Sequence, residues 1–427
     1  MPFARWMAAL ALCVSTASAQ QQQPQRSDTL LLTRAAAIQL ALERNPQLDV
    51  AREQIAELRA AKVQAVAIPD PSVTASLDQQ PGFFRSSASG QKNIGAALQV
   101  PFPDKFRLRG DVAAADVKSA QANYAALQRQ LAALTAEQYD SLLVSLRHRS
   151  DLTEAQTLAN DFLKRTQARF DAGTAPRLDV IKAQVDVAGA TNDLISNERA
   201  IANASSGLNR FIGRPLGAPI VATDSLGVPP MLPSVETLEA QALDARPELA
   251  ALMAQRNGAH SATTLAREFW LPDLTLGVSR DVTGNSGPGV FSTGLAFPLP
   301  LFFWQHTRGE VSQSQHRERE LAASYRDLEA GVGQDVRNAY AAASTALRQA
   351  IYIRDQLLPS AREAYRSTAA SYAIGGSSAF EVIDARRTLL AAESQYADAL
   401  AAANTSRSDL ERAVSVPLDT IVSGTNP

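Results

Sequence analysis

Cysteine is almost absent: Cys13 is the only one in 427 residues, so no intrachain disulfide can form. Charge of one sign is not in excess either, with 41 basic against 43 acidic side chains, and a nucleic-acid reader would need a basic footprint. Beyond the N-terminus there is no apolar run of about 18 residues, which excludes a conventional bundle of membrane-spanning helices and leaves strands as the only way to cross a bilayer. The histidines His148, His260, His306 and His316 are scattered, and none has a second ligand at a metal-binding spacing. No Ser-His-Asp, phosphate-loop or dinucleotide pattern is present. The sequence therefore offers no catalytic residue, metal site or cofactor.

What is present begins with an export signal. Residues 1–19 run from Arg5 through an apolar stretch to Ala17-Ser18-Ala19, a small-residue cleavage site. Cys13 invites a lipoprotein reading, against which stands Leu12 where lipidation requires a small residue. Residues 20–27 form a polar leader.

The rest is a duplication. Asn45-Pro46-Gln47-Leu48 recurs as Arg246-Pro247-Glu248-Leu249, Arg109-Gly110-Asp111-Val112 as Arg308-Gly309-Glu310-Val311, and Leu178-Asp179-Val180-Ile181 as Phe380-Glu381-Val382-Ile383. These anchors divide the chain into units of about 200 residues, 28–225 and 226–427. Each opens with a helix starting at a proline. Two alternating apolar/polar stretches follow, 72–80 with 93–100 and 273–281 with 290–297, joined by Pro81-Gly82 and by the Gly-rich segment 284–289. Each unit thus predicts one strand hairpin.

Helix then continues for an unusual distance. Residues 111–172 contain neither Gly nor Pro, and one helix of that length would extend roughly 90 Å. The matching stretch from Glu310 to Ile374 predicts a helix interrupted at Gly331, Gly333 and Pro359. Breaks at Gly173 and Gly375 turn each unit into a long helical hairpin. The fold class is mainly α with a β-barrel. Four strands per chain cannot close, and open edges are not tolerated in lipid, so three chains would supply a twelve-stranded barrel.

Phe380-Glu381-Val382-Ile383-Asp384-Ala385-Arg386-Arg387-Thr388-Leu389 and Leu410-Glu411-Arg412-Ala413-Val414, with the opening Leu32-Thr33-Arg34-Ala35-Ala36, resemble the outer-membrane efflux proteins of the TolC-like type. Phe297-Pro298-Leu299-Pro300-Leu301-Phe302 followed by Arg308-Gly309-Glu310 looks most like the branch serving cobalt-zinc-cadmium or copper resistance. The resemblance implies a homotrimer in the Gram-negative outer membrane with a periplasmic tunnel. It also implies docking on a periplasmic adaptor and an inner-membrane pump, proton-driven in the efflux case. Multidrug efflux or type I protein secretion would use the same architecture. A periplasmic coiled-coil scaffold without a barrel is the third reading, and the paired strand stretches argue against it.

A conduit needs a gate rather than a catalyst. Glu381 and Asp384 are three residues apart, hence on one helix face, and three copies would form a ring of six carboxylates that attracts cations. The resemblance puts the acidic constriction at these two positions; the competing reading is that acidic residues near a helix start only favour the helix dipole. It further implies that the Tyr372 hydroxyl bonds Asp179 of the neighbouring hairpin. Lys182 stands where Asp384 does in the other unit, so the two hairpins are not electrostatically equivalent. Gly173, Thr174, Gly375, Gly376 and Ser377 cap the hairpins, and the family uses these tips to meet the adaptor. Phe269, Trp270, Phe302, Phe303 and Trp304 cluster where strands meet helices, as an interfacial belt against outer-membrane lipid would, with core packing as the alternative.

Overall fold

A computed structural model describes residues 30–78, 91–282, 291–298 and 303–418. The export signal, the leader, Phe302 and the turns at Pro81-Gly82 and 284–289 lie outside these residues.

Each unit starts with two helices rather than the single one expected. α1 (Arg34–Arg44) and α2 (Pro46–Ala65) meet at Asn45, and α5 (Val235–Ala245) and α6 (Pro247–Arg267) meet at Arg246. A residue before proline is driven out of the helical region, so both junctions are extended, with ψ of 123° and 116°. Thr33 and Ser234 cap the added helices by accepting from the N–H groups of Ala36 and Thr237. The junction residues also tie each unit shut: the Asn45 amide donates to the Phe211 carbonyl, and the Arg246 guanidinium donates to that of Ala413. A parallel pair of short strands, β1 (Leu30–Leu32) and β4 (Ile220–Ala222), closes the first unit.

The other strands are β2 (Ser72–Asp78), β3 (Gln91–Val100), β5 (Leu274–Asp281) and β6 (Phe291–Ala296). They form one antiparallel sheet in the order β2-β3-β5-β6, so the two hairpins join through β3 and β5. The register collects Val73, Ala96 and Val278 in one row and Leu98, Leu276 and Leu295 in the next, all on one face. Thr74, Gly95 and Ser279, then Gly277 and Gly294, line the other. The apolar face is bare, with Val73 78%, Val278 46% and Leu295 61% exposed. In a water-soluble sheet that face would be the covered one.

Below the sheet, α3 (Pro103–Asp171) runs unbroken for 69 residues, about 100 Å at the standard rise. It turns into α4 (Arg177–Phe211). The second unit is built from α7 (Phe303–Tyr352), α8 (Leu358–Ala373) and α9 (Ala379–Val414). α7 passes through Gly331 and Gly333 without the expected interruption. Each glycine costs about 1 kcal/mol in a helix, but Val332 between them is fully buried with Val336, Leu238 and Leu410. Packing there outweighs propensity. The break at Pro359 takes the form of a π-turn over Ile353–Leu357, in which the Leu358 N–H reaches back to the Ile353 carbonyl. Proline lacks the N–H for a regular bond and its ring collides with the carbonyl four residues earlier, and the wider turn relieves both conflicts.

The duplication is visible in the core. Ala37, Ala41, Leu48 and Leu131 pack in one cluster, and Leu238, Ala242, Leu249 and Val332, each 201 residues later, pack in another. α3 packs against both α4 and α9, and α9 packs against α7 and α8. The helices therefore follow one another in the order α4, α3, α9 and α7/α8, with α4 also touching α9.

Candidate functional site

Both hairpin tips close by the same backbone device. Gly173 and Gly375 adopt φ of +71° and +82°, a region that L side chains avoid. The Thr174 N–H bonds the Arg169 carbonyl and the Gly376 N–H bonds that of Ser371, each five residues back, completing a Schellman cap. Side chains reinforce it: Thr174 Oγ1 donates to the Arg169 carbonyl and Ser377 Oγ to the Thr368 carbonyl. Ile374 is 88% and Phe380 62% exposed, so the second tip presents bare apolar surface.

The residues that follow each tip differ. α4 has Pro176 at its start and no side-chain cap, whereas α9 begins with a complete capping box. There the Ser378 N–H donates to Glu381 Oε2 at 2.7 Å and the Glu381 N–H donates to Ser378 Oγ at 3.3 Å. Glu381 is thus engaged in capping the start of α9. Asp384, one turn on, is exposed, and its carboxylate has no hydrogen bond or ion pair among the described residues. On the same helix Val382 and Ile383 are buried against Phe162, Ala183 and Tyr372. α9 therefore directs its acidic face away from the helices that its apolar face joins.

Within one chain the Tyr372 hydroxyl is not bonded to Asp179, the partner that the resemblance implied on a neighbouring hairpin. Its ring is buried, with the Phe162 centroid 5.1 Å away and the Arg169 guanidinium 4.5 Å over its face. Held between these two groups of α3, its hydroxyl lies 3.4 Å from Thr166 Oγ1. That is a long contact for two hydroxyls. Asp179 is half-buried near the start of α4, with no side-chain partner among the described residues.

The sequence reading missed Arg169 altogether. Besides covering the Tyr372 ring, its guanidinium donates to the Tyr372 carbonyl and to the Thr174 carbonyl, strapping one tip to the other. Its position in the last turn of α3 suited an ordinary C-terminal cation. Also missed was the buried pair of Arg386 and Asp186, 5% and 3% exposed at their side chains. Further along α9, Glu393 meets Arg362 at 3.3 Å. Burial pushes its carboxyl up, Arg362 opposes this, and Asp151 and Glu154 across the interface add to the rise.

The exposed face of α4 carries a further pattern. Along α4, Leu178, Ile181, Val185, Ala188, Asn192 and Ile195 alternate in steps of three and four, the spacing of a coiled-coil seam. All six are exposed, Val185 by 62% and Ile195 by 61%. The face turned to α3 carries Val180, Ala183 and Ala190 instead.

The aromatic cluster is only partly described. Trp270 ends a 3-10 turn (Glu268–Trp270) and is 56% exposed. Phe303 and Trp304 begin α7, and the side chains of Phe269, Phe303 and Trp304 lie outside the described residues. Two histidines serve as ties between helices, His148 with Asp398 at 3.0 Å and His260 with Glu318 at 3.1 Å. Among the described residues no group of three or more His, Cys, Asp or Glu is placed to hold a metal ion, and no helix is long and apolar enough to cross a membrane.

Comparison with known proteins follows the same lines. The family described as outer membrane efflux protein matches residues 37–214 and again 238–415, each end displaced by the spacing of the two unit cores. Over 367 residues the chain is 25% identical to the cobalt-zinc-cadmium resistance protein CzcC of Cupriavidus metallidurans, covering 86% of this chain and 85% of that one. To the outer membrane protein TolC of Vibrio cholerae it is 24% identical, covering 84% and 85%. Among solved structures, CusC superposes with a TM-score of 0.76 at 18% identity, over 92% of this chain and 95% of that one. VceC of Vibrio cholerae gives 0.74 at 18%, over 90% and 96%. With two matches, one for each unit, the chain belongs to the outer membrane efflux protein family, placing it in the outer membrane with a helical extension into the periplasm.

Proposed function

We propose that three copies of this chain form the exit duct of a tripartite efflux pump, conducting cargo passively from the periplasm to the outside through a gated tunnel. One observation carries the reading: a four-stranded sheet with a bare apolar face and, among the described residues, no strand beyond β2 or β6 is mounted on a helical body whose longest helix extends about 100 Å. Such a sheet is stable in lipid only when its edges are paired, and three copies give a barrel of twelve strands with small and polar residues inside. The α4 seam supports the same ring, since the α4 of each copy would meet the α7/α8 of the next. Cross-linking of the purified membrane protein tests it: a trimer is expected, and a stable soluble monomer from the periplasm overturns it.

The gate assigned to this duct is the acidic face of α9. Asp384 supplies an exposed charge, and Glu381 retains one oxygen outside its cap bond. In planar bilayers, Glu381→Ala with Asp384→Ala weakens cation selectivity and block by multivalent cations while the trimer persists. The exposed tips, with Gly173, Thr174, Gly375, Gly376 and Ser377 shaping their turns, are the surface assigned to a periplasmic adaptor. Through that adaptor the duct would serve a proton-driven inner-membrane pump. The protein acts as a conduit and not as a catalyst.

The cargo assigned is heavy-metal cations, on the likeness to CzcC and on Phe297-Pro298-Leu299-Pro300-Leu301-Phe302 before Arg308-Gly309-Glu310. A second reading has an observation of its own: the chain is also 27% identical over 387 residues to the pyoverdine export outer membrane protein OpmQ of Pseudomonas aeruginosa. Deletion separates the two. Loss of metal tolerance is expected, and unchanged metal tolerance with lost tolerance of organic compounds moves the assignment to that branch.

A further inference from the structure

Arg386 occupies a place meant for an apolar side chain. The buried residues of α9 recur as Ala379, Val382, Arg386, Leu389 and Glu393, in steps of three and four. At Arg386 a guanidinium is buried in that stripe. Its Nε donates to Asp186 Oδ2 at 3.0 Å and its Nη2 to Asp186 Oδ1 at 2.6 Å, and its Nη1 donates to the Ala155 carbonyl at 3.2 Å. One side chain of α9 is thereby fixed to α4 and to α3 together. Arg387 adds a looser contact to the same carboxylate, at 3.6 Å from an exposed position.

A buried ion pair of this kind contributes little net stability compared with packed apolar residues, because both charges have lost their water. Its well-attested use is to set register, since only one alignment satisfies both partners. The forked geometry demands a defined rotation of α9 about its own axis as well as a defined height. Asp384 lies two residues before Arg386, about 200° around the helix. Locking Arg386 inward therefore turns Asp384 outward. The pair is not inherited from the duplication: 202 residues before Arg386 stands Gln184, and 202 after Asp186 stands Thr388.

We propose that Arg386 and Asp186 are positioning residues for the acidic face of α9, fixing the rotation and register that hold Asp384 away from the packed helices. The proposal rests on the gate reading for its functional meaning, but its geometry is tested independently. In a Cys13→Ser background no other cysteine remains, so Asp384→Cys and Val382→Cys report the two faces of α9 by their rates of maleimide labelling in purified trimers. With the pair intact, the exposed position labels at least about tenfold faster than the buried one.

The decisive variant combines Arg386→Leu with Asp186→Leu, which removes both charges together. It is expected to assemble with undiminished thermal stability, while the labelling ratio falls to below about threefold. A ratio unchanged in assembled trimers overturns the proposal and leaves the pair a purely structural contact. Should that variant fail to assemble, Arg386→Lys keeps the charge and loses the fork; its ratio should fall part of the way, and an unchanged ratio again overturns the proposal. The gate reading fails separately, if Asp384→Ala with the pair intact leaves cation selectivity and block as they were.

Discussion

The two helical hairpins descend from one unit and share a backbone design, yet they differ in continuity, capping and charge. In the first, α3 is continuous to its tip; in the second, the same path is broken by the π-turn before Pro359. α4 starts without a side-chain cap, α9 with a reciprocal one. After the tips, Lys182 faces the Phe380 ring at 5.9 Å, while its counterpart Asp384 is exposed and unpaired among the described residues. Duplication has preserved what the backbone requires, the αL glycines and the apolar stripes, and has let the exposed and interface positions diverge. The second hairpin holds both the candidate gate and the irregular helix.

The largest contrast should come from Pro359, in local exchange rather than in stability. Pro359→Ala restores an N–H and lets the π-turn revert to regular helix, with a net change in stability within about 1 kcal/mol because the wider turn has already relieved the ring. Hydrogen exchange should slow over 353–362 and stay constant in α3; slowing in both hairpins would show that they move as one body. The tips should respond alike. Gly173→Ala and Gly375→Ala each force a side chain into positive φ at a cost of about 1–2 kcal/mol, and urea denaturation giving unequal losses would mean that neighbouring contacts, not the backbone, decide the tips.

A smaller effect separates the caps. Ser378→Ala should cost about 1 kcal/mol in thermal unfolding, whereas Pro176→Ala, which removes no cap, should stay within about 0.5 kcal/mol. Equal losses would erase the distinction.

The smallest effect concerns pH. Burial, with Asp151 and Glu154, raises the Glu393 carboxyl above its ordinary range, so the folded state keeps a proton that the unfolded chain has released. Stability from this group therefore falls as pH rises from the ordinary glutamate range through the shifted value. Glu393→Gln should flatten that part of the stability profile; an unaltered slope would place the titration elsewhere.

Much of this was legible in the residues because it is local. Strand alternation at Val73-Ala75-Leu77, the glycines at 173 and 375, and the long span without Gly or Pro each act within a few residues of themselves. The extra helices α1 and α5 left a legible signal too, in Thr33 and Ser234 as caps ahead of Asn45 and Arg246. β1 and β4 left none: three-residue strands have too little alternation, and they pair across 190 residues.

The candidate site divides along the same line. The sequence by itself determined that the units are repeated, that their helices are far longer than a globule needs, and that Glu381 and Asp384 share a helix face, since each follows from periodicity along one chain. Only the tertiary structure decided that Gly331 and Gly333 remain helical, that Tyr372 lies against Phe162 and Thr166, that Arg169 straps the tips, and that Arg386 meets Asp186. These outcomes depend on which helix faces meet between segments distant in sequence, where burial and paired charge outweigh the local preferences that a sequence displays.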